Sequence, residues 1–153
     1  MNNEAWINAI DSRLFNQDVI APKPQDYVVP PFPSLYWPFP LTGDQAYYLY
    51  DASDIWKFTL YWTLVPYAAM HLSASSYAVI IELRNWKVIW LVPFIFAIIG
   101  GLEAFIAGSC VGGLLAAVYN AGHFRMSTWV PFVWGLINSL ILILSSFAIQ
   151  GAL

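Results

Sequence analysis

Residues 88–119, VIWLVPFIFAIIGGLEAFIAGSCVGGLLAAVY, form a run of 32 residues in which Glu103 is the one charged side chain. A stretch that long and apolar predicts a helix that crosses a bilayer, because in hydrocarbon each backbone N–H and C=O must be satisfied within the segment itself. As a straight helix rising 1.5 Å per residue it would reach ~48 Å, against a hydrocarbon core of ~30 Å, so it must tilt, bend or protrude. Pro93 and the Gly100–Gly101 pair are the expected sites of a bend. Within the run, Gly100, Ala104, Gly108, Gly112 and Ala116 recur at every fourth position. Residues four apart share one helix face, so these five form a ridge of small side chains against which another backbone can come into van der Waals contact. We expect the rest of the chain to pack on this second helix, which would make it the scaffold.

Two further apolar runs flank it, at about 56–81 and about 129–150. In the first, Thr59, Thr63, Tyr67, His71 and Ser75 again recur every four residues, and a polar ridge in lipid must face protein or water. Asp51 and Asp54 suit the start of this helix, Lys57 can reach the headgroups, and Pro66 should kink it. The link at 82–87 is short, so the first two helices are antiparallel neighbours. The third run carries Pro131 in its first turn, where a missing amide matters little, and a small polar face of Gly135, Asn138, Ser139, Ser145 and Ser146. With 10% charged residues, against about 25% in soluble domains, the chain reads as an integral membrane protein with its termini on opposite sides. Positive charge does not orient it, since Arg84 and Lys87 on one side balance Lys57 and Arg125 on the other. The start, MNNEAWINAIDSR, lacks a basic region followed by an apolar one, so insertion is expected to use a transmembrane segment itself.

The first 52 residues read as an arm. Trp6, Ile7, Ile10 and Leu14 fall on one face of a short amphipathic helix at 3–16. Residues 22–40 hold seven of the ten prolines, which predicts extended chain. No Arg or Lys flanks its PxxP spacing closely enough to favour a polyproline ligand. We expect the arm to lie along the membrane surface or a partner through Tyr36, Trp37, Phe39, Tyr47 and Tyr48, amphipathic rings favoured at that interface.

The segments LYWTLVPYAAMHLSA and AAVYNAGHFRMSTWVPF, with the glycine- and alanine-rich helix between them, resemble the transmembrane protein 170 family, most closely its fungal members. The likeness runs from about Phe32 to the C-terminus, with Trp62, His71, Gly108, Tyr119 and Met126 as its fixed points. Asn120 stands where animal members carry an arginine, and serines and alanine follow His71 where they carry a glycine. The resemblance implies a multi-pass endoplasmic reticulum protein with its N-terminal arm in the lumen. It also implies a link to the shape of that membrane and the nuclear envelope and, in fungi, to the upkeep of other membrane proteins.

His71 and Glu103 fall near mid-helix on antiparallel neighbours, and a charge at that depth costs about 2.5–3.5 kcal/mol, so a contact between them is expected. Gly108, Ser109, Cys110 and His123 suggest a serine hydrolase, but 14 residues of helix would hold Ser109 and His123 ~21 Å apart. No metal-ligand, nucleotide-binding or paired-carboxylate motif occurs, and no basic patch suits nucleic acid. We therefore expect no catalytic, metal or cofactor site, with lipid between the helices as the one ligand left open. The fold class is an all-α membrane protein: an arm at 1–52 with a short amphipathic helix and an extended proline- and aromatic-rich segment, then three transmembrane helices within 53–153. The expected role is a non-enzymatic accessory subunit that associates laterally with a larger integral membrane protein in contact with membrane lipid. The alternatives are a self-associating, membrane-shaping homo-oligomer and, third, a lipid-handling protein or intramembrane enzyme subunit.

Overall fold

The computed structural model describes residues 23–36, 47–81 and 89–151. The expected amphipathic helix at 3–16, Trp37 and Phe39 lie outside the described residues. Three helices follow one another: α1 (Ala52–Ile81), α2 (Leu91–Ala121) and α3 (Trp129–Gly151), each long and apolar enough to cross a membrane. Helix α1 starts at Ala52, four residues before the expected point, because the Asp51 carbonyl already accepts from the Asp54 and Ile55 amides. Helix α2 starts at Leu91, which puts Pro93 in its first turn. Amides there have no intrahelical partner, so Pro93 is no cause of a bend.

The end of α2 is built by its sequence. Gly122 donates to the Val118 carbonyl, His123 turns into the left-handed region at φ 52°, and Phe124 donates back to the Tyr119 carbonyl. These bonds satisfy carbonyls that a helix end leaves open. A Cβ at position 122 would meet the Phe124 ring, so any larger residue there would have to push that ring aside.

The scaffold is α1 rather than the expected second helix. Helix α1 packs against both α2 and α3, whereas α2 and α3 hardly touch. The physical reason lies in the faces available: α1 has its polar ridge toward α2 and a second face, around Trp62, toward α3. Helix α2 has a single buried stripe, already used by α1.

The arm and the α2–α3 connection close the ends of the helices. Strand β1 (Tyr48–Leu49) pairs antiparallel with β2 (Met126–Ser127), Tyr48 opposite Ser127 and Leu49 opposite Met126. Side chains alternate along a strand, so the inner pair, Leu49 and Met126, is fully buried against Ile55, Phe58 and Ala116. Around this pair the cap is tied by side chains: Thr128 donates to the Ser34 carbonyl (2.8 Å), and Trp129 Nε1 to the Tyr36 carbonyl (2.8 Å). The Arg125 guanidinium lies 4.3 Å from the centre of the Tyr48 ring. Tyr27 donates to the Tyr48 carbonyl (3.2 Å), and its burial, followed by the charge of Asp54, pushes its pKa up to about 12.

Candidate functional site

The two four-residue ridges meet face to face. A Cβ at Gly112 would lie 3.2 Å from Thr59 Cβ, one at Gly108 3.3 Å from Thr63 Cβ, and one at Gly100 2.5 Å from the His71 ring. Each step of four along α1 is therefore a step of four back along α2. Gly100, Ala104, Gly108, Gly112 and Ala116 are the buried residues of α2, and Thr59, Thr63, Tyr67 and Ser75 are buried on α1. Thr59 and Thr63 donate their hydroxyls to the Ile55 and Thr59 carbonyls of their own helix, both at 2.8 Å. With the hydroxyl used locally, what each threonine turns to the glycine is carbon, and the seam holds by close packing.

Helix α3 is attached differently. Gly135 lies directly on the Trp62 carbonyl of α1. Close by, Asn138 Nδ2 donates to Thr63 Oγ1 (3.2 Å) and the Tyr67 hydroxyl donates to the Asn138 carbonyl (3.3 Å). The sequence had marked Asn138 only as part of a polar face; its partners come from α1's ridge, which periodicity along one helix does not reveal.

Beyond Asn138 the space between the three helices is open. A cleft of about 730 Å³ lies there, with Met70 and Ser73 of α1, Phe96 of α2 and Leu142 and Phe147 of α3 among its walls. His71 and Glu103 both line it. His71 Nδ1 donates to the Tyr67 carbonyl (2.9 Å), and Nε2 faces Glu103 Oε2 at 3.4 Å. The imidazole side chain is 15% exposed and the carboxyl side chain 45%, so the pair is buried on one side and open to the cleft on the other.

Other expected residues fall elsewhere. Tyr36 hydrogen-bonds Ser127 and Tyr48 lies under Arg125, so both are taken up by the cap, while Tyr47 remains half exposed. Ser109 lies inside α2 and His123 past its end, so the helix keeps the hydrolase pair apart. Among the described residues no group of acids, histidines or cysteines could hold a metal ion.

The sequence of this helical body decides its family. The model described as Transmembrane protein 170A/B-like matches residues 48–153. The chain belongs to the transmembrane protein 170 family. The uncharacterized protein YPR153W of Saccharomyces cerevisiae is 36% identical over 141 residues, covering 92% of this chain and 97% of the yeast protein. No solved structure matches the chain. The family match begins at β1, so it takes in the three helices and the cap sheet of this transmembrane protein 170 chain and leaves residues 23–36 of its arm outside.

Proposed function

We propose that this transmembrane protein 170 family member is a non-enzymatic accessory subunit of the endoplasmic reticulum membrane. It binds a larger integral membrane protein from the side and supports that protein's assembly or stability. Family membership supports the setting, with the arm on the lumenal side and an extension to the nuclear envelope. The observation that carries the reading is the path of the arm. Phe32 packs on Phe58, Tyr61 and Trp62, with ring centres 5.8, 5.5 and 5.0 Å away, which draws residues 30–34 down beside the second and third turns of α1. Trp62 stands ten residues into α1, ~15 Å along its axis. Irregular backbone at the edge of the hydrocarbon is tolerated where protein covers it. On its outer side the arm leaves Val28 83%, Val29 42% and Phe32 40% exposed, an apolar strip continuous with half-exposed Tyr61. A partner's surface would supply the missing cover.

The test is purification of the tagged full chain from native membranes in mild detergent, with the mass and composition of the product. We expect a larger protein in fixed stoichiometry, lost when Val28→Asp and Val29→Asp are combined while the chain itself stays folded. A lone chain or a homo-oligomer concentrated in curved membrane would reject the accessory role in favour of membrane shaping.

A further inference from the structure

The cleft between the helices is chemically simple. Four polar side chains line it, and three have their hydrogen bonds already: Ser73 donates to the Ala69 carbonyl (2.6 Å), Ser146 to the Leu142 carbonyl (2.9 Å) and His71 to the Tyr67 carbonyl. The fourth is Glu103, which has one oxygen toward His71 and, among the described residues, no partner for the other.

The pair itself says what that second oxygen can do. A carbonyl only accepts, so His71 Nδ1 carries a proton; two bare acceptors 3.4 Å apart would repel, so a favourable Nε2–Glu103 contact requires one proton more. That proton sits either on Nε2, facing a carboxylate, or on Oε2, donating to a bare Nε2. Both arrangements have zero net charge, as the membrane interior favours. In both, the outward oxygen of Glu103 is an acceptor. A cation in the cleft would leave a net charge there, so a fitting ligand is uncharged, mostly apolar, and brings a hydrogen-bond donor.

Depth narrows the class further. Glu103 lies 12 residues inside the start of α2 and His71 ten residues before the end of α1, ~18 and ~15 Å along their axes. Helices of ~45 Å overhang a ~30 Å core by ~7 Å on each side, which puts the pair roughly 10 Å inside the hydrocarbon. A phosphate headgroup would have to give up its water to reach it; a hydroxyl loses far less. The volume, about 730 Å³, is that of a site for one small molecule.

We propose that this cleft is a binding site for one uncharged lipid carrying a single hydroxyl. The hydroxyl donates to the outward oxygen of Glu103, and the hydrocarbon body lies against Met70, Phe96, Leu142 and Phe147. The site stands whether or not the arm recruits a protein partner, since the two surfaces share no residue.

The test uses the full chain in lipid nanodiscs with two photoreactive probes, a sterol and a diacylglycerol, each with its hydroxyl free or capped as the methyl ether. At least one free-hydroxyl probe is expected to label residues of the cleft, and the free forms distinguish the two lipid classes. Capping the hydroxyl, or Glu103→Leu, is expected to reduce labelling about five- to tenfold, the ratio one net hydrogen bond supports. Glu103→Gln should retain labelling, because its amide can donate to His71 Nε2 while its carbonyl oxygen faces outward. Ala69→Phe, on the same helix as His71, puts a ring into the cleft while leaving both members of the pair in the sequence, and should abolish labelling even if Glu103→Leu misfolds. Equal labelling by free and capped probes, label spread around all three helices, or a co-purified protein's helix crosslinked in the cleft would each overturn the proposal.

Discussion

Helix α1 holds its two neighbours by different physics. Toward α2 it presents Thr59, Thr63 and His71, which meet Gly112, Gly108 and Gly100 in a register kept over about three turns. Toward α3 the attachment is concentrated where Gly135 touches Trp62 and Asn138 bonds to Thr63 and Tyr67, and past that point the helices part. Lipid tails are as apolar as the side chains, so burial in a membrane does little to bring helices together; packing and hydrogen bonds must do it. A repeated seam spreads the attachment over many weak contacts and closes the space. A local pin leaves the rest of the helix free to diverge, and that divergence makes the cleft.

The same substitution at three glycines should separate these cases. Gly135→Ala would drive its methyl group into the Trp62 carbonyl and backbone, which cannot yield as a flexible side chain would. We expect a loss of about 3 kcal/mol, at the upper end for overpacking, seen as a lower midpoint of unfolding in detergent and release of α3. Gly108→Ala meets Leu60 Cδ1 at 3.0 Å and Leu60 Cα at 3.1 Å, so a smaller shift should relieve it, at about 1–2 kcal/mol. Gly101→Ala meets nothing within 4 Å and should be neutral or slightly stabilising through helix propensity. If all three glycines behaved alike, close approach of backbones would not be what holds the helices.

The seam was legible in the sequence because both of its sides are periodic. Four-residue spacing on two antiparallel helices fixes which faces meet, and an ionisable side chain deep within each run, His71 in one and Glu103 in the other, marks where a partner is needed. The pin was not legible, since a single glycine and a single asparagine have no period, and nothing in α3 alone names Thr63 as a partner. Nor was the scaffold: small residues on α2 show that something packs there, but whether one helix or two depends on α1's second face. The cap escaped for another reason. Strands of two residues are too short for alternation to show, and the pairing of Leu49 with Met126 joins positions 77 residues apart.

A weaker test separates packing from hydrogen bonding within the pin. Asn138→Ala removes the bond to Thr63 Oγ1 but keeps the backbone carbonyl that accepts from Tyr67. Such bonds between membrane helices are worth about 0.6 kcal/mol, up to about 1.7 kcal/mol. The expected loss is therefore smaller than at Gly135, and combining Asn138→Ala with Thr63→Val should add little, since the two groups share one bond. An additive double variant would show that Asn138 acts through some other contact.

The cap is the second hold on α3, because Thr128 and Trp129 bind the arm at the point where that helix begins. Tyr27 reaches this cap from the far end of the described arm and is neutral when it donates to the Tyr48 carbonyl. Its pKa stands raised to about 12, by burial first and by the negative charge of Asp54 second. A group that binds its proton more tightly in the folded state contributes stability that is complete below its unfolded value, near 10, and is lost as pH climbs toward the folded value. The cap should therefore hold unchanged to about pH 10 and loosen between pH 10 and about 12. Subtracting the ultraviolet titration of Tyr27→Phe from that of the native chain isolates this one phenol. A midpoint near 10 in the difference curve would mean that the arm is not seated on β1 in solution, and the attachment of α3 would then rest on Gly135 and Asn138 alone.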